Sequence, residues 1–263
     1  MDNKEVLDRD NNIEAKESNL IVGRNPCMEA LRSGREIDRL LVAHGATGGS
    51  TQAIIAKCKA RGILIKEVSP AKLDYLSGGA VHQGVGLFVA SHNYCEVADI
   101  LAKAKEKNEK PFIIICDEIE DPHNLGAIIR TAEACGVHGV IIPQRRSASL
   151  NATVAKSSSG ALAYMNVARA TNLANTIEEL KKEGVWIFAA DMDGEHWCQS
   201  DFDIPLALVI GSEGNGVGTL VKKKCDKIVS MPMCGEINSL NASVAAGILM
   251  YEVARQRLKI KAI

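Results

Sequence analysis

The sequence predicts an α/β protein built on a mostly parallel sheet, with a smaller α/β domain ahead of it. Three observations carry this expectation. Short apolar runs such as Phe112–Cys116 and Leu206–Ile210 are strand-length and almost unbroken in hydrophobicity, as strands buried on both faces are. Helix-like stretches lie between most of them, the alternation that produces a parallel sheet covered on both sides. The stretch from Glu96 to Lys110, rich in Ala, Lys and Glu and free of aromatic residues, separates two such patterns. At 263 residues the chain exceeds the usual size of one domain, so two are expected.

Taken in order, residues 1–19 hold six acids against three bases and no periodic apolar pattern, which reads as a disordered tail. From residue 20 to residue 90 a compact α/β unit is expected. Its helices are placed at Pro26–Leu31 and Gln52–Arg61, its strands at Leu40–Ala43, Ile63–Val68 and Val85–Ala90. Residues 91–110 read as a linker carrying a charged helix. The larger domain spans 111–263, with strands at Phe112–Asp117, Gly139–Ile142, Val185–Ala190, Leu206–Ile210 and Lys227–Met231. Helices are expected at Leu125–Ala134, Thr153–Ser159, Leu173–Lys182 and Gly218–Cys225, and a long one from Leu240 to Leu258.

Composition excludes several classes. Apolar residues make up 46% and charged residues 24%, ordinary for a soluble globular chain. No apolar run approaches the roughly 18 residues that span a bilayer. The first residues lack the basic start and apolar core of a secretory signal, so a cytoplasmic location is expected. Eight cysteines without a C-x-x-C pair read as buried thiols, and six scattered histidines give no ligand spacing, so no metal site is expected. Net charge is −1, but no acid occurs between Glu133 and Glu178, where Arg145, Arg146, Lys156 and Arg169 lie. An acid-free surface with several bases suits a polyanion, although chance clustering explains it equally well.

Three stretches carry chemistry. Asp121-Pro-His-Asn124-Leu-Gly-Ala-Ile-Ile-Arg130-Thr-Ala follows a strand, with Asn124 a candidate cap for a helix that buries Leu125, Ile128 and Ile129. Arg130 lies nearly two turns further on and by itself would pass for a surface residue. Leu208-Val-Ile-Gly211-Ser-Glu213-Gly-Asn-Gly-Val-Gly218 places four glycines after a strand, so the backbone can turn sharply and approach a ligand closely. It lacks the Gly-Lys-Ser/Thr of a phosphate-binding loop and sits too late in the domain for a dinucleotide fingerprint. Met231-Pro-Met-Cys-Gly235 ends a strand, and Ser239-Leu240-Asn241 opens a helix of small residues. There Asn241 and Ser243 are natural caps.

Together the three closely resemble the signature motifs of the SpoU (TrmH-like) branch of the SPOUT methyltransferases. The resemblance rests on Asn124-Leu-Gly-Ala-Ile-Ile-Arg130-Thr-Ala, Ile210-Gly-Ser-Glu213-Gly, Pro232-Met-x-Gly235 and Ser239-Leu-Asn241. It extends over about residues 110–258. Gly23-Arg24-Asn-Pro26, Glu29-Ala-Leu31 and His82-Gln-Gly-Val85 look like the N-terminal RNA substrate-binding domain of the subgroup that methylates a guanosine of large-subunit (23S) ribosomal RNA. Met231 and Ala242 stand where isoleucine and valine are commoner, at points where the family uses main-chain contacts.

The resemblance implies a SPOUT fold with a C-terminal trefoil knot, S-adenosylmethionine as methyl donor, and transfer to a ribose 2′-hydroxyl of RNA. It implies a donor pocket at Gly211, Met231 and Leu240, and a reaction centre at Asn124, Arg130, Glu213, Ser239 and Asn241. RNA contacts are expected from Arg24, Arg145, Arg146 and Lys156. A homodimer through the C-terminal domain is implied too, with an arginine of the partner as a possible complement to the site. These residue types suit the chemistry. A ribose hydroxyl must shed its proton as it attacks an already activated methyl group, so the site needs orientation and charge stabilisation rather than a metal. Guanidinium groups stay protonated in proteins, so Arg130 is expected to act as a cation and not as the proton acceptor. Other targets by the same mechanism, transfer RNA or another ribosomal site, stay open. So do a catalytically inactive RNA-binding relative, disfavoured by the complete residue set, and a Rossmann-type nucleotide enzyme.

Overall fold

A computed structural model describes residues 19–90 and 92–260. The tail expected over 1–19 lies outside the described residues, apart from Asn19. The chain forms two compact units. One comprises the described residues up to Asn93 with Ser149–Thr153, the other Tyr94–Ala148 with the described residues from Val154 onward.

The first unit runs β1 (Leu20–Val22), α1 (Arg24–Arg32), β2 (Ile37–Ala43), α2 (Gly49–Ala60), β3 (Leu64–Val68), α3 (Pro70–Leu76) and β4 (Val85–Val89). Its sheet has the order β1-β4-β2-β3, with β4 antiparallel to both neighbours and β2 parallel to β3. Cys27, Leu40, Ile54, Cys58 and Leu87 are completely buried between sheet and helices. Burial pushes the Cys27 thiol up to about 12 and the Cys58 thiol to about 11, so both behave as small apolar groups. Two elements escaped the sequence reading. Strand β1 is only three residues long, and α3 is a seven-residue helix started by Ser69, whose side chain accepts from the Lys72 N–H.

The second unit runs α4 (Val97–Glu106), β5 (Phe112–Cys116), α5 (Pro122–Ala134), β6 (Gly139–Pro143), α6 (Ala152–Ser157, of which this unit holds the residues from Val154), β7 (Asn166–Ala170), α7 (Leu173–Lys182), β8 (Trp186–His196), β9 (Leu206–Ile210), α8 (Thr219–Lys224), β10 (Lys227–Ser230) and α9 (Ala242–Arg257). All six strands are parallel, in the order β10-β8-β9-β5-β6-β7. Every residue of β5 and β9 is buried, as their unbroken hydrophobicity requires. Helix α4, expected as part of a linker, buries Ile100 and Ala104. A Cβ on Gly139 would lie 2.5 Å from the Ile100 side chain, so β6 gives up a side chain to let α4 pack.

Strand β8 departs most from expectation. Its pairing with β10 runs through Ile228↔Ala189 and resumes at Val229↔Glu195, so residues 190–194 leave the ladder and return to it. The return is tight. A Cβ on Gly194 would lie 2.6 Å from the carbonyl carbon of Ile228, and Ser230 Oγ donates to the Gly194 carbonyl at 2.8 Å. At the other end of the sheet β7, missed in the sequence because Asn166 and Arg169 interrupt its hydrophobicity, completes the edge.

Candidate active site

The carboxyl ends of β8, β9 and β10 open into a cleft of about 260 Å³, the position where parallel sheets bind ligands. Its walls include Asp191 and Met192 from the β8 excursion, Gly211–Gly216 after β9, and Met231, Ser239 and Leu240 after β10. The expected donor-pocket residues Gly211, Met231 and Leu240 therefore line one space, with Ser239 beside them.

The loop after β9 is folded onto itself. Ser212 and Gly216 exchange two backbone hydrogen bonds, at 3.1 and 2.9 Å, and Gly216 adopts φ +62°, which glycine accepts without strain. Gly211 tolerates no side chain, because a Cβ there would lie 2.1 Å from the carbonyl carbon of Gly216. Beyond the loop, the Gly218 N–H donates to Asp117 Oδ2 at 2.8 Å. Asp117 directly follows the buried strand β5 and is itself only 6% exposed. Burial raises its carboxyl above the ordinary range, and the Gly218 N–H pulls it partly back.

Against the loop sits a polar node. Asn124 Nδ2 donates to Glu213 Oε1 at 2.9 Å, and Asn241 Nδ2 donates both to Asn124 Oδ1 at 2.9 Å and to the same Glu213 oxygen. The Ala242 N–H also points at Glu213 Oε1, at 3.4 Å. Asn241 Oδ1 meanwhile caps α9, accepting from the Ser243 and Val244 N–H groups and from Ser243 Oγ. Asn124 has no capping role. Helix α5 starts earlier, with Pro122 in its first turn and Asp121 accepting from the His123 N–H, so Asn124 sits inside the helix and is buried. Its amide therefore lies in the node, where both its oxygen and its nitrogen are used.

Arg130 stands apart from the node. Six residues along a helix turn a side chain by about 240°, so Arg130 and Asn124 occupy different faces of α5. Arg130 is exposed, and its Nη1 donates to Ser159 Oγ at 3.1 Å. Of the residues expected to contact RNA, Arg145 and Lys156 are exposed, while Arg146 pairs with Glu118 at 2.7 Å. Arg24, in the first unit, braces loops, donating through Nε to the Gln83 carbonyl at 3.2 Å and through Nη2 to the Thr47 carbonyl at 3.4 Å. Glycine in the Asn124-Leu-Gly126 motif serves packing, since a Cβ there would collide with Ser157 Oγ on α6.

Residues 111–251 match the family model described as the SpoU rRNA Methylase family, and residues 20–95 match one described as RNA 2′-O ribose methyltransferase substrate binding. The first match alone covers more than half of the chain. The chain belongs to the SpoU rRNA methylase family. A SpoU relative in Bacillus subtilis (strain 168), bearing the name of a TrmH family tRNA/rRNA methyltransferase, is 49% identical over 244 residues, covering 92% of this chain and 98% of that one. A like-named relative in Staphylococcus aureus (strain MSSA476) is 45% identical over 242 residues, covering 92% and 97%. Among solved structures, the SpoU methyltransferase AviRb from Streptomyces viridochromogenes, in complex with the cofactor AdoMet, is 25% identical. It matches with a TM-score of 0.59 over 92% of this chain and 91% of that chain. An AdoMet-bound rRNA methyltransferase from Sinorhizobium meliloti shares the fold, with a TM-score of 0.59 at 24% identity over 98% of this chain and 97% of that chain.

Against this SpoU background, sequence reasoning missed Ser159, Asp117 and Asp191. A lone serine gives no signal. Asp117 follows the carboxyl end of β5 and Asp191 follows the apolar residues 187–190 of β8, and an acid directly after an apolar run, where side chains of parallel sheets meet ligands, was the available clue.

Proposed function

We propose that this chain transfers the methyl group of S-adenosylmethionine to a ribose 2′-hydroxyl of RNA, and that its target is a guanosine of large-subunit ribosomal RNA. The observation that carries the reading is the adjacency of the cleft and the Asn124–Glu213–Asn241 node, which share Glu213 and Ala242. A cleft walled by glycine backbone and by Ile210, Val229, Met231 and Leu240 fits an adenosyl group, with main-chain polar groups for its edges and apolar side chains for its faces. When bound there, S-adenosylmethionine supplies a methyl group on a cationic sulfur. Gly211, Met231 and Leu240 hold it, and Ser239 and Asn241 border the reacting end.

The node orients. Glu213 Oε1 is occupied by three donors, which fixes the loop against α5 and the start of α9. Arg130 stands apart from its own chain's node, so in this reading the arginine that holds the target phosphate and steadies the developing oxyanion there is supplied across the homodimer, and the proton leaves to water or an RNA phosphate. Residues 20–90 select the RNA and residues 111–263 bind the donor and catalyse. The match of residues 20–95 to a ribose-methyltransferase substrate-binding model supports this division. Arg24 contributes by shaping loops, while Arg145, Arg146 and Lys156 supply the basic surface. The C-terminal trefoil knot and a cytoplasmic location belong to the same reading.

A homodimer through the C-terminal domain completes it. Val244, Ile248 and Tyr251 recur at helical spacing on α9 and are 50%, 38% and 58% exposed, an apolar stripe suited to a second copy of the chain. Sedimentation velocity decides this, with wild type a dimer and Tyr251→Glu shifted to monomer. The function itself is tested on RNA from cells with and without the gene. A methylated 2′-oxygen cannot attack its phosphate, so alkaline hydrolysis should skip one linkage in large-subunit ribosomal RNA. A skipped linkage in transfer RNA would keep the chemistry and move the target; a methylated base with normal cleavage would overturn both.

A further inference from the structure

We infer that Asp191 is a specificity residue for the methyl donor, accepting a hydrogen bond from the ribose hydroxyls of its adenosyl group. This rests on the donor reading above and deepens it. Among the described residues, Asp191 and Glu213 are the two charged side chains on the cleft wall, and no lysine, arginine or histidine lines it. Glu213 is committed to the polar node through Oε1. Asp191 has no such commitment to the catalytic residues.

The chain places Asp191 deliberately. It lies in the five-residue excursion by which β8 leaves and rejoins its ladder with β10, and the excursion is fastened at both sides. Ser230 holds its far end through the Gly194 carbonyl. Lys222, reaching from α8, pairs with Asp191 Oδ1 at 3.0 Å and extends to Asp193 Oδ2 at 3.5 Å. The Asp191 side chain is 15% exposed, sheltered yet open to the cleft. Its other oxygen, Oδ2, points across to Gly216, where a Cβ would stand only 3.4 Å away. Glycine at 216 thus keeps the approach to Oδ2 clear.

An ionised carboxylate only accepts hydrogen bonds, so the ligand group facing Oδ2 must donate. A sulfonium has no proton to give. Lys222 already offsets the charge of Asp191, which removes the advantage of a second cation and leaves a pinned acceptor suited to a neutral hydroxyl. A carboxylate at a strand end reading ribose hydroxyls is also the arrangement other nucleotide sites adopt on parallel sheets. The pairing with Lys222 fixes the rotamer, so the ligand does not bear the cost of ordering it.

The test is calorimetric titration of the full-length protein with S-adenosylmethionine, S-adenosylhomocysteine and the 2′-deoxy and 3′-deoxy ribose analogues of the latter, for wild type, Asp191→Asn and Asp191→Ala. In the asparagine variant Lys222 takes the amide oxygen, turning the NH₂ toward the ligand, where it cannot accept. Both variants should bind S-adenosylmethionine and S-adenosylhomocysteine at least about tenfold more weakly, by the same factor for each. Wild type should bind the analogue missing the contacted hydroxyl more weakly than the parent by a similar factor, whereas each variant should bind that analogue and the parent alike. Equal losses for every ligand, or weakening of S-adenosylmethionine alone, would overturn the inference; the second result would assign Asp191 to the sulfonium charge. A wild-type unfolding midpoint in both variants separates a lost contact from a lost fold. If wild type binds neither S-adenosyl compound, the donor reading falls first and this inference with it.

Discussion

Replacing Gly211 by alanine is a one-methyl change whose consequences follow from the backbone. The new Cβ would lie 2.1 Å from the carbonyl carbon of Gly216, 2.2 Å from its oxygen and 2.3 Å from the Val217 nitrogen, where 3.4 Å begins ordinary contact. The obstacle is main chain, so no rotamer relieves it. The loop must move by more than 1 Å, and the two Ser212–Gly216 hydrogen bonds lie directly in the way. At about 1 kcal/mol net for each bond, the variant loses roughly 2 kcal/mol of local stability. The same movement displaces a wall of the cleft, and a misplacement of that size can cost about a hundredfold in rate. Urea denaturation, titration with S-adenosylmethionine and methyl transfer to RNA at saturating donor measure the three effects. We expect a lower midpoint, donor affinity reduced at least about tenfold, and slow turnover. A variant that binds donor as wild type does, with an unchanged midpoint, would refute the claim that this backbone contact shapes the site.

Arg130→Ala should lower methyl transfer by about a hundredfold or more while leaving donor affinity nearly intact, since Arg130 touches Ser159 and not the cleft. Arg130→Lys should be almost as poor at every pH if a forked cation is required; an active lysine variant whose rate follows a single ionisation would restore the base assignment. The buried His138 accepts the Phe112 N–H on Nδ1 at 3.0 Å and faces Glu109 Oε2 through Nε2 at 3.0 Å, with burial holding its pKa below 6.5 and Glu109 drawing it partly back. A depressed folded value means that its contribution is complete above 6.5 and is lost as pH falls below it towards the folded value, so urea midpoints should drop as pH falls from 6.5 for wild type and less for His138→Asn. Parallel slopes would remove His138 from the account. A fragment beginning at Tyr94 should bind S-adenosylmethionine and turn over RNA poorly, whereas one beginning at Lys105 loses the buried Ile100 and about 2–5 kcal/mol with it. Equal stability of the two fragments, measured by thermal melting, would contradict the packing of α4.

The buried strands were legible because they contain nothing but hydrophobic residues; Phe112–Cys116 and Leu206–Ile210 admit few other readings. The motifs at Asn124, Glu213 and Asn241 were legible as residue types at strand ends, but their mutual contacts were not, because residues 117 positions apart meet only through the sheet order. Asn124 was misread as a cap since its side chain suits one; Asp121 followed by Pro122 is the stronger start and moves the helix back. Strand β8 was cut short in the sequence reading because Asp191, Asp193 and Glu195 look like a loop, and in part they are one. The linker reading of α4 failed for a related reason. Two lysines among its last residues, Lys103 and Lys105, hide a narrow apolar side, Ile100 and Ala104, that a small neighbour at Gly139 lets into the core.

Helix α9 supplies Asn241 to the node, and near its end Arg257 donates to the carbonyls of Lys110, Pro111 and Ile204 at 2.7–2.9 Å. During synthesis the glycine loop and α5 therefore leave the ribosome well before the residue that joins them. A chain halted anywhere before position 241 has neither the Asn124–Asn241 contact nor the cap that starts the last helix. Truncated translation products that stop short of that position are built without a finished node, so a partial chain does not present the arrangement that the whole one does.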